Sequence, residues 1–146
     1  MKNFDLFFIR HTTSCELLGD YPAVGRVYTS PHADCVQSSQ LFYPSQTLHT
    51  AVNLRGRDSD ETDSEFAIRC VAGLNQLFTD LTKSQITKAA LITHDETIVT
   101  LMAGCGLPKS DPTEFILEPG EGWLIRMSAY LWQKGYSFEI VGKLSL

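Results

Sequence analysis

Short apolar runs alternate with amphipathic segments along most of the chain. The run FDLFFI at residues 4–9 is rich in phenylalanine and predicts a buried strand. Similar runs predict strands at residues 25–30 (GRVYTS), 47–52 (TLHTAV) and 89–93 (AALIT). Toward the carboxyl terminus, GWLIRMSAYLW and YSFEIVGKLSL predict two strands joined by a turn at residues 134–135.

Helical patterns lie between these strands. ADCVQSSQLF at residues 33–42 predicts a short helix, and another follows at residues 96–105 before Gly106 and Pro108. The clearest helix spans residues 63–81, where Thr62 and Glu65 have the spacing of a capping box. Its apolar residues recur at steps of three and four: Phe66, Cys70, Val71, Leu74, Leu77, Phe78 and Leu81.

The alternation of strands and helices predicts the fold class. We expect a three-layer α/β/α sandwich with a mostly parallel central sheet, formed by residues 1–146 as a single domain. Ligands bind at the carboxyl ends of the strands in such sheets. Arg10–His11, Ser30–Pro31 and His94–Asp95 each follow a predicted strand, so we expect them to line one crevice.

Composition and charge narrow the function classes. The 146 residues carry a net charge of −5 and include 43% hydrophobic residues, enough for a substantial core. The acidic balance argues against partners such as nucleic acid or an anionic membrane surface, which need a basic face. No apolar stretch is long enough to cross a membrane, and the N-terminus does not read as a signal peptide. A cytoplasmic location is therefore expected.

Neither the cysteines nor the histidines have the spacing of a metal site. The cysteines lie far apart without a CxxC pair, and we expect buried free thiols: Cys15, Cys35, Cys70 and Cys105. The histidines show no ligand spacing either: His11, His32, His49 and His94. No metal and no cofactor is expected.

Two histidines at strand ends, one of them beside an arginine, suggest phosphoryl-transfer chemistry. A neutral imidazole at His11 is a nucleophile for phosphorus, and Arg10 offers a planar fork of donors to phosphoryl oxygens. A protonated His94 donates to the oxygen charge of the transition state. A carboxylic acid then protonates the leaving oxygen, and its conjugate base activates water.

The motifs FIRHTTS, VYTSPHADCVQSSQLF, ETDSEFAIRCVAGLNQL and ALITHDETIVTLMAGCGLP together resemble the histidine phosphatase (phosphoglycerate mutase-like) superfamily. That family shows a strand followed by Arg-His-Gly-x-Thr/Ser, and later a strand that ends in Ser/Thr-His. The resemblance covers most of the chain, roughly residues 4–123, through the order and spacing of the motifs.

The resemblance implies roles for several positions. Arg10 and His11 take the phosphate-binding and nucleophile positions, and His94 takes that of the second histidine. Ser14 matches the Thr/Ser of the first motif, and Thr12 replaces its glycine; both are candidate substrate contacts. The implied partner is a phosphorylated small molecule or a phosphoprotein.

One departure from the family concerns charge. Asp34 stands where the family has a second phosphate-binding arginine. The replacement turns an attraction to the phosphate into a repulsion. The interaction of two unit charges amounts to about 4 kcal/mol at contact distance and an effective dielectric near 20. Arg26, Arg55 and Arg57 are the candidates to compensate, each with the alternative of an ordinary surface arginine, and His32 is a further candidate pocket residue.

A second departure concerns the proton donor. Many members carry Leu-x-Glu after the third strand, and NLRGRD places Gly56 at the glutamate position. One replacement is an acid of the nearby loop, Asp58, Asp60 or Glu61. The other is Asp95, since the acid-phosphatase branch of the superfamily uses a His-Asp pair; the alternative for Asp95 is a helix N-cap.

The favoured function is a phosphatase that works through a phosphohistidine on His11 and hydrolyses a phosphomonoester or a phosphoramidate. The alternative is a catalytically impaired relative that binds a phosphorylated ligand or partner without turnover, as Asp34 and Gly56 suggest. A phosphoglycerate-type mutase is least favoured, because only residues 15–25 separate the first motif from the second strand and leave an open crevice.

Overall fold

Seven strands form one sheet at the centre of the computed structural model, which describes residues 2–146. The strands are β1 (Asn3–Arg10), β2 (Arg26–Thr29), β3 (Leu48–Thr50), β4 (Lys88–Thr93), β5 (Gly106–Leu107), β6 (Gly122–Ser128) and β7 (Phe138–Lys143). Their order is β3-β2-β4-β1-β6-β7-β5. β6 pairs antiparallel with β1 and β7, whereas the other pairs within residues 2–146 are parallel. The predicted mostly parallel sheet is therefore confirmed.

Within residues 2–146, four α-helices connect these strands. They are α1 (Ala33–Phe42), α2 (Asp63–Ser84), α3 (Asp95–Cys105) and α4 (Ala129–Gly135). The capping box of α2 is confirmed: Thr62 accepts a hydrogen bond from the Glu65 amide, and the Glu65 carboxylate accepts one from the Thr62 amide. These bonds satisfy amides that the first helical turn leaves without partners, so the helix begins where the sequence predicts.

The side chains of β1 alternate between two apolar cores. Phe4, Leu6 and Phe8 pack in the core beneath α2 and α3, whereas Phe7 and Ile9 pack in the core beneath α1. A strand directs successive side chains to opposite faces, so a strand buried on both faces reads as a continuous apolar run. The three-layer α/β/α architecture predicted from the sequence is confirmed.

The predicted strand at residues 122–132 is wrong beyond Ser128. The Ser128 hydroxyl accepts a hydrogen bond from the Leu131 amide and caps α4, which turns the chain out of the sheet. The helix buries Trp132 against α2, where its indole N–H donates to the Asn75 side chain at 2.8 Å. This tertiary contact outweighs the strand propensity of the local sequence.

Within residues 2–146 no helix combines the length and the apolar character that a membrane crossing requires. α2 is long enough, but it is amphipathic, with its buried apolar residues along one face.

Candidate active site

The carboxyl ends of three neighbouring strands meet at one edge of the sheet. β4 lies between β1 and β2, and all three run parallel, with Arg10 opposite Thr93 and Thr29 opposite Ile92. The chain leaves β1 at His11, whose amide donates to the Thr93 carbonyl at 3.1 Å. The topology therefore places the chain segments that begin with His11, Ser30 and His94 side by side.

Three imidazole rings cluster at this edge. The ring centroids of His11 and His94 are 5.0 Å apart, with the rings at 71° to one another. The His32 ring lies 5.3 Å from that of His94. His94 Nε2 is 3.3 Å from Ser30 Oγ, which fixes the ring in its pocket. Two imidazoles 83 positions apart in the sequence are therefore neighbours in the fold.

The two central imidazoles are neutral at pH 7. Burial lowers the pKa of His94 to about 4, and the neighbouring His11 and His32 act in the same direction. Burial also lowers the pKa of His11, and the guanidinium of Arg10 adds to that effect against the opposing carboxylate of Asp34. A neutral imidazole keeps the lone pair that a nucleophile or a metal ligand needs.

Arg10 and Asp95 both form a hydrogen bond with the backbone of Leu117. A guanidinium N–H of Arg10 donates to the carbonyl of Leu117, and the Leu117 amide donates to the Asp95 carboxylate at 3.0 Å. The N-cap of α3 is His94, so the capping alternative for Asp95 is not what the structure has. Asp95 instead anchors the segment that passes beside Arg10. It lines a cleft that shares Arg57 and Glu96 with the one that His94 lines.

His94 lines a cleft of about 540 Å³. Its other lining residues are Pro31, His32, Arg55, Gly56, Arg57, Asp58 and Glu96. Gly56 lies against the imidazole so closely that a β-carbon on it would be 3.1 Å from the nearest ring carbon of His94. The sequence position at which the resembled family carries its acid therefore faces the second histidine, and here it has no side chain.

Both arginines of this cleft are engaged by carboxylates. Arg55 binds Asp58 through two N–H groups, at 2.6 and 3.2 Å. Arg57 donates to Glu96 at 2.7 Å and to Asp63 at 2.5 Å. Either guanidinium must break these ion pairs before it can form bidentate hydrogen bonds with a phosphate.

The third compensating candidate, Arg26, lies at the wrong end of its strand. It begins β2, whereas the cleft lies beyond the end of that strand, and its guanidinium donates to Asp80 at 2.7 Å and to Ser84 at 2.9 Å. Arg26 therefore does not compensate for Asp34. Asp34 itself occupies the first turn of α1, close enough for its carboxylate to act on the pKa values of both His11 and His94.

The acids of the loop before α2 are held in their ionised forms. The guanidinium of Arg55 lowers the pKa of Asp58. The guanidinium of Arg69 lowers the pKa of Glu61 to about 2. A carboxylate that is already ionised at neutral pH does not donate a proton to a leaving group. Asp60 is exposed to solvent in the same loop.

The segment after β1 is fixed by internal hydrogen bonds. The Ser38 hydroxyl on α1 accepts from the Thr12 amide and donates to the Thr12 carbonyl, both at 2.9 Å. The Thr12 hydroxyl accepts from the Ser14 amide, and the exposed Ser14 hydroxyl accepts from the Glu16 amide. These turns hold the backbone that follows His11, and their hydroxyls still offer lone pairs or protons to a ligand.

Arg69 is a positioning residue that the sequence argument did not single out. From α2 its guanidinium donates to the backbone carbonyls of Asn53, Arg55 and Gly56, and to the Glu61 carboxylate at 2.6 Å. It thereby shapes the loop that holds Gly56 against His94. The only signal in the sequence is the Phe-x-x-Arg pattern of the resembled family, which gives no contact partner.

We expect Arg69→Met to lower the free energy of unfolding by about 3 kcal/mol, as measured by urea denaturation. The side chains of Arg69 and Glu61 are only 12% and 13% exposed, so the substitution leaves a poorly solvated carboxylate and the carbonyls of Asn53 and Gly56 without this donor; the Arg55 carbonyl keeps the Thr97 hydroxyl. Arg126→Met is the control, because that arginine is 39% exposed and a loss of under about 1 kcal/mol is expected. Equal losses in the two variants would contradict the role given to Arg69.

One group of side chains has the donor atoms of a metal site. The candidate ligand atoms of His11, Cys35 and His94 all lie within 4.8 Å of one another. The residues are separated by 24 and 59 positions, so no local spacing reveals them. The sequence-based expectation of no metal rested on such spacing.

Neither a protein-family model nor a curated protein matches the sequence. Solved structures do match. The chain is 12% identical to a phosphoglycerate mutase from Bacillus anthracis, covering 97% of this chain and 92% of that one, with a TM-score of 0.74. It is 11% identical to the protein histidine phosphatase SixA complexed with tungstate, with 97% of each chain covered and a TM-score of 0.68.

A third similar structure is a phosphoserine phosphatase from Entamoeba histolytica in complex with 3-phosphoglyceric acid. It is 14% identical, with 98% of each chain covered and a TM-score of 0.64. At these identities the likeness concerns the fold, and it extends over nearly the whole chain. The resemblance expected from the sequence motifs is confirmed at that level.

Proposed function

From the phosphoglycerate mutase-like fold that this chain shares with the histidine phosphatases, we propose that it is a phosphatase acting through a phosphohistidine on His11. The observation that carries the proposal is the pair of neutral imidazoles, His11 and His94, with ring centroids 5.0 Å apart at the carboxyl edge of the sheet. The similar structures named above include a protein histidine phosphatase and a phosphoserine phosphatase, which supports this reaction class.

The first step is attack on phosphorus. His11 Nδ1 is buried without a hydrogen-bond partner, so Nε2 is the nitrogen assigned to the attack. The N–P bond forms as the bond from phosphorus to the leaving group breaks. Arg10 uses one N–H for Leu117 and keeps further guanidinium donors for the phosphoryl oxygens. His94 donates an N–H to the same oxygens as their charge develops.

The second step is hydrolysis of the phosphohistidine. Water attacks phosphorus on the side away from His11, the P–N bond breaks, and inorganic phosphate leaves with the imidazole restored. The anion itself raises the proton affinity of His94 while it is bound, because a nearby negative charge stabilises the imidazolium.

The leaving group narrows the substrate class. Gly56 provides no acid, and Asp58 and Glu61 are ionised, so these positions provide no proton for a departing alkoxide. The proposal therefore favours substrates whose leaving groups need little protonation by the enzyme, namely phosphoramidates and aryl phosphates. The open cleft beside His94 suits a phosphorylated side chain of a protein as well as a small molecule.

The test is direct trapping of the intermediate. Purified protein is mixed with a phosphoramidate or an aryl phosphate, quenched with denaturant at alkaline pH, and analysed by intact mass and peptide mapping. We expect one phosphoryl group per chain on the peptide that contains His11, labile to acid and stable to base. Turnover without such an adduct, or an adduct on another residue, would overturn the proposal.

A second candidate function is phosphate binding without turnover. Asp34 favours it, because it places a negative charge at the site where the family has an arginine, and Arg55 and Arg57 are engaged elsewhere. Calorimetric binding of vanadate or phosphate with no hydrolysis across a panel of phosphoesters and phosphoramidates would establish this candidate. An adduct on His11 would exclude it.

We expect Asp34→Arg to tighten the binding of inorganic phosphate about 10- to 100-fold, measured by calorimetry. The substitution replaces a repulsive charge by an attractive one, and partial exposure of the position limits the gain, since the Asp34 side chain is 41% exposed. Asp34→Asn should give an intermediate affinity. Gln133→Arg on α4, which lies in another part of the fold, should leave the affinity unchanged. Equal effects of the two arginine variants would show that net charge alone is responsible.

A further inference from the structure

We propose that His11, Cys35 and His94 form a Zn²⁺ site whose occupation competes with phosphoryl transfer. The binding part of this proposal stands on the three side chains themselves, and the competition part rests on the function proposed above. In the sequence these three residues have no local spacing that would indicate a metal site.

The three side chains already have nearly the spacing that zinc requires. Zinc binds imidazole nitrogen at about 2.0–2.1 Å and thiolate sulfur at about 2.3 Å, which at a tetrahedral angle separates the two donors by about 3.5 Å. His94 Nε2 lies 3.6 Å from Cys35 Sγ. The His11 donor lies within 4.8 Å of both, so it has to move by no more than about 1.5 Å to complete the triangle.

The donors also have the right chemistry. Two imidazole nitrogens and one sulfur form a ligand set that zinc prefers, and the buried Nδ1 of His11 has no hydrogen-bond partner to give up. Cys35 is fully buried and is a free thiol. Without metal, Cys35 Sγ and His94 Nε2 are close enough to share a weak hydrogen bond. Coordination replaces the thiol proton by zinc and releases it to solvent, one proton for each ion bound.

The surrounding charge favours a cation more than it does in the resembled family. Asp34 directly precedes Cys35 on α1, and its carboxylate acts on both imidazoles. The family has an arginine at this position, which would repel a divalent ion. Arg10 opposes the cation from the side of His11, and its guanidinium is partly committed to Leu117. Three protein ligands leave the fourth position, on the cleft side, for water or a phosphate oxygen.

Zinc competes with phosphoryl transfer because both need the lone pair of the His11 imidazole. A neutral imidazole has a single lone pair, because its other nitrogen carries the proton. Whichever nitrogen of His11 binds zinc, no lone pair remains to attack phosphorus. Occupation of the site therefore abolishes the nucleophile without any change in the fold.

Cobalt is the probe for binding, because a Co²⁺–thiolate bond gives a charge-transfer band in the near ultraviolet and tetrahedral Co²⁺ gives intense visible bands. We expect both bands in the wild-type protein, with displacement by Zn²⁺. Cys35→Ala should lose the thiolate band and weaken binding at least 100-fold, whereas Cys70→Ala and Cys15→Ala should retain both. Cys35→Ser keeps the volume of the side chain and guards against a folding defect, which circular dichroism monitors.

The coordination of zinc is tested on the wild-type protein by X-ray absorption. We expect one sulfur at about 2.3 Å and two nitrogens at about 2.0 Å. The metal site would be overturned if Co²⁺ gave no thiolate band, or if that band persisted in Cys35→Ala. A zinc coordination shell without sulfur would overturn it as well. These outcomes do not depend on any phosphatase activity.

The competition is tested by turnover of an aryl phosphate. Zn²⁺ should inhibit the wild-type protein and Cys70→Ala equally, and Cys35→Ala should need at least a tenfold higher Zn²⁺ concentration for the same inhibition. Equal inhibition of Cys35→Ala would overturn the competition. A protein that binds Co²⁺ through Cys35 but never forms a phosphohistidine would leave the metal site standing and refute the phosphatase.

Discussion

Replacing His11 with asparagine is expected to lower the turnover of an aryl phosphate by about 10⁴-fold or more. Asparagine keeps a polar group of similar reach but has no lone pair that can attack phosphorus, so no covalent intermediate forms. The backbone position survives the change, because it is fixed by the bond from the His11 amide to the Thr93 carbonyl. Turnover, measured by steady-state kinetics, and the phosphoryl adduct should be lost together.

Two further histidines separate this effect from a general loss of structure. His94→Asn retains the nucleophile and removes a donor to the developing charge, so a smaller loss of about 10²–10³-fold is expected. His49→Asn is the matched control, since its ring lies against Tyr28 in another part of the fold, and activity should be unchanged. Residual turnover of His11→Asn above that of His94→Asn would contradict the role of His11 as nucleophile.

The layers of the sandwich and the strand ends could be predicted because their signals are local. A strand buried on both faces, such as β1, requires an uninterrupted apolar run, and the Thr62–Glu65 capping box marks the start of α2. Parallel strands then bring their carboxyl ends together by geometry alone. The pairing of His11 with His94 follows from these rules, although 83 positions separate the two residues.

The rest of the site depends on contacts between distant side chains, which leave no local signal. Arg69 reads as an ordinary helix residue, yet it holds the loop against His94 through three carbonyls. Cys35 reads as a core cysteine, which it is by burial, yet its sulfur meets His94. The local sequence predicts a strand where α4 lies. The segment forms a helix because the burial of Trp132 against α2 outweighs that local propensity. Each miss is a tertiary contact that overrides or redirects a local preference.

Gly56 is the position where one added group is expected to change the substrate range most. A β-carbon on Gly56 would lie 3.1–3.4 Å from three atoms of the His94 ring, so a side chain placed there enters the site beside the phosphoryl position. Gly56 also corresponds to the glutamate of the Leu-x-Glu pattern in the resembled family. The negative charge of a bound phosphoryl group raises the pKa of a carboxylic acid beside it. A glutamic acid at this place can therefore protonate a departing oxygen that the arginine-paired Asp58 and Glu61 do not serve.

We therefore expect Gly56→Glu to raise the rate of alkyl phosphate hydrolysis by about 10²-fold, the lower end of what general-acid catalysis contributes. The rate with a phosphoramidate or an aryl phosphate should change little, because those leaving groups need no proton from the enzyme. The added β-carbon is tight against the imidazole, so the His94 ring has to move by a few tenths of an ångström. Gly56→Ala measures that steric cost alone, and Gly56→Gln supplies the same bulk without an acidic proton. Equal alkyl phosphate rates for the glutamate and glutamine variants would show that a missing acid does not limit this site, and the preference for good leaving groups would then need another cause.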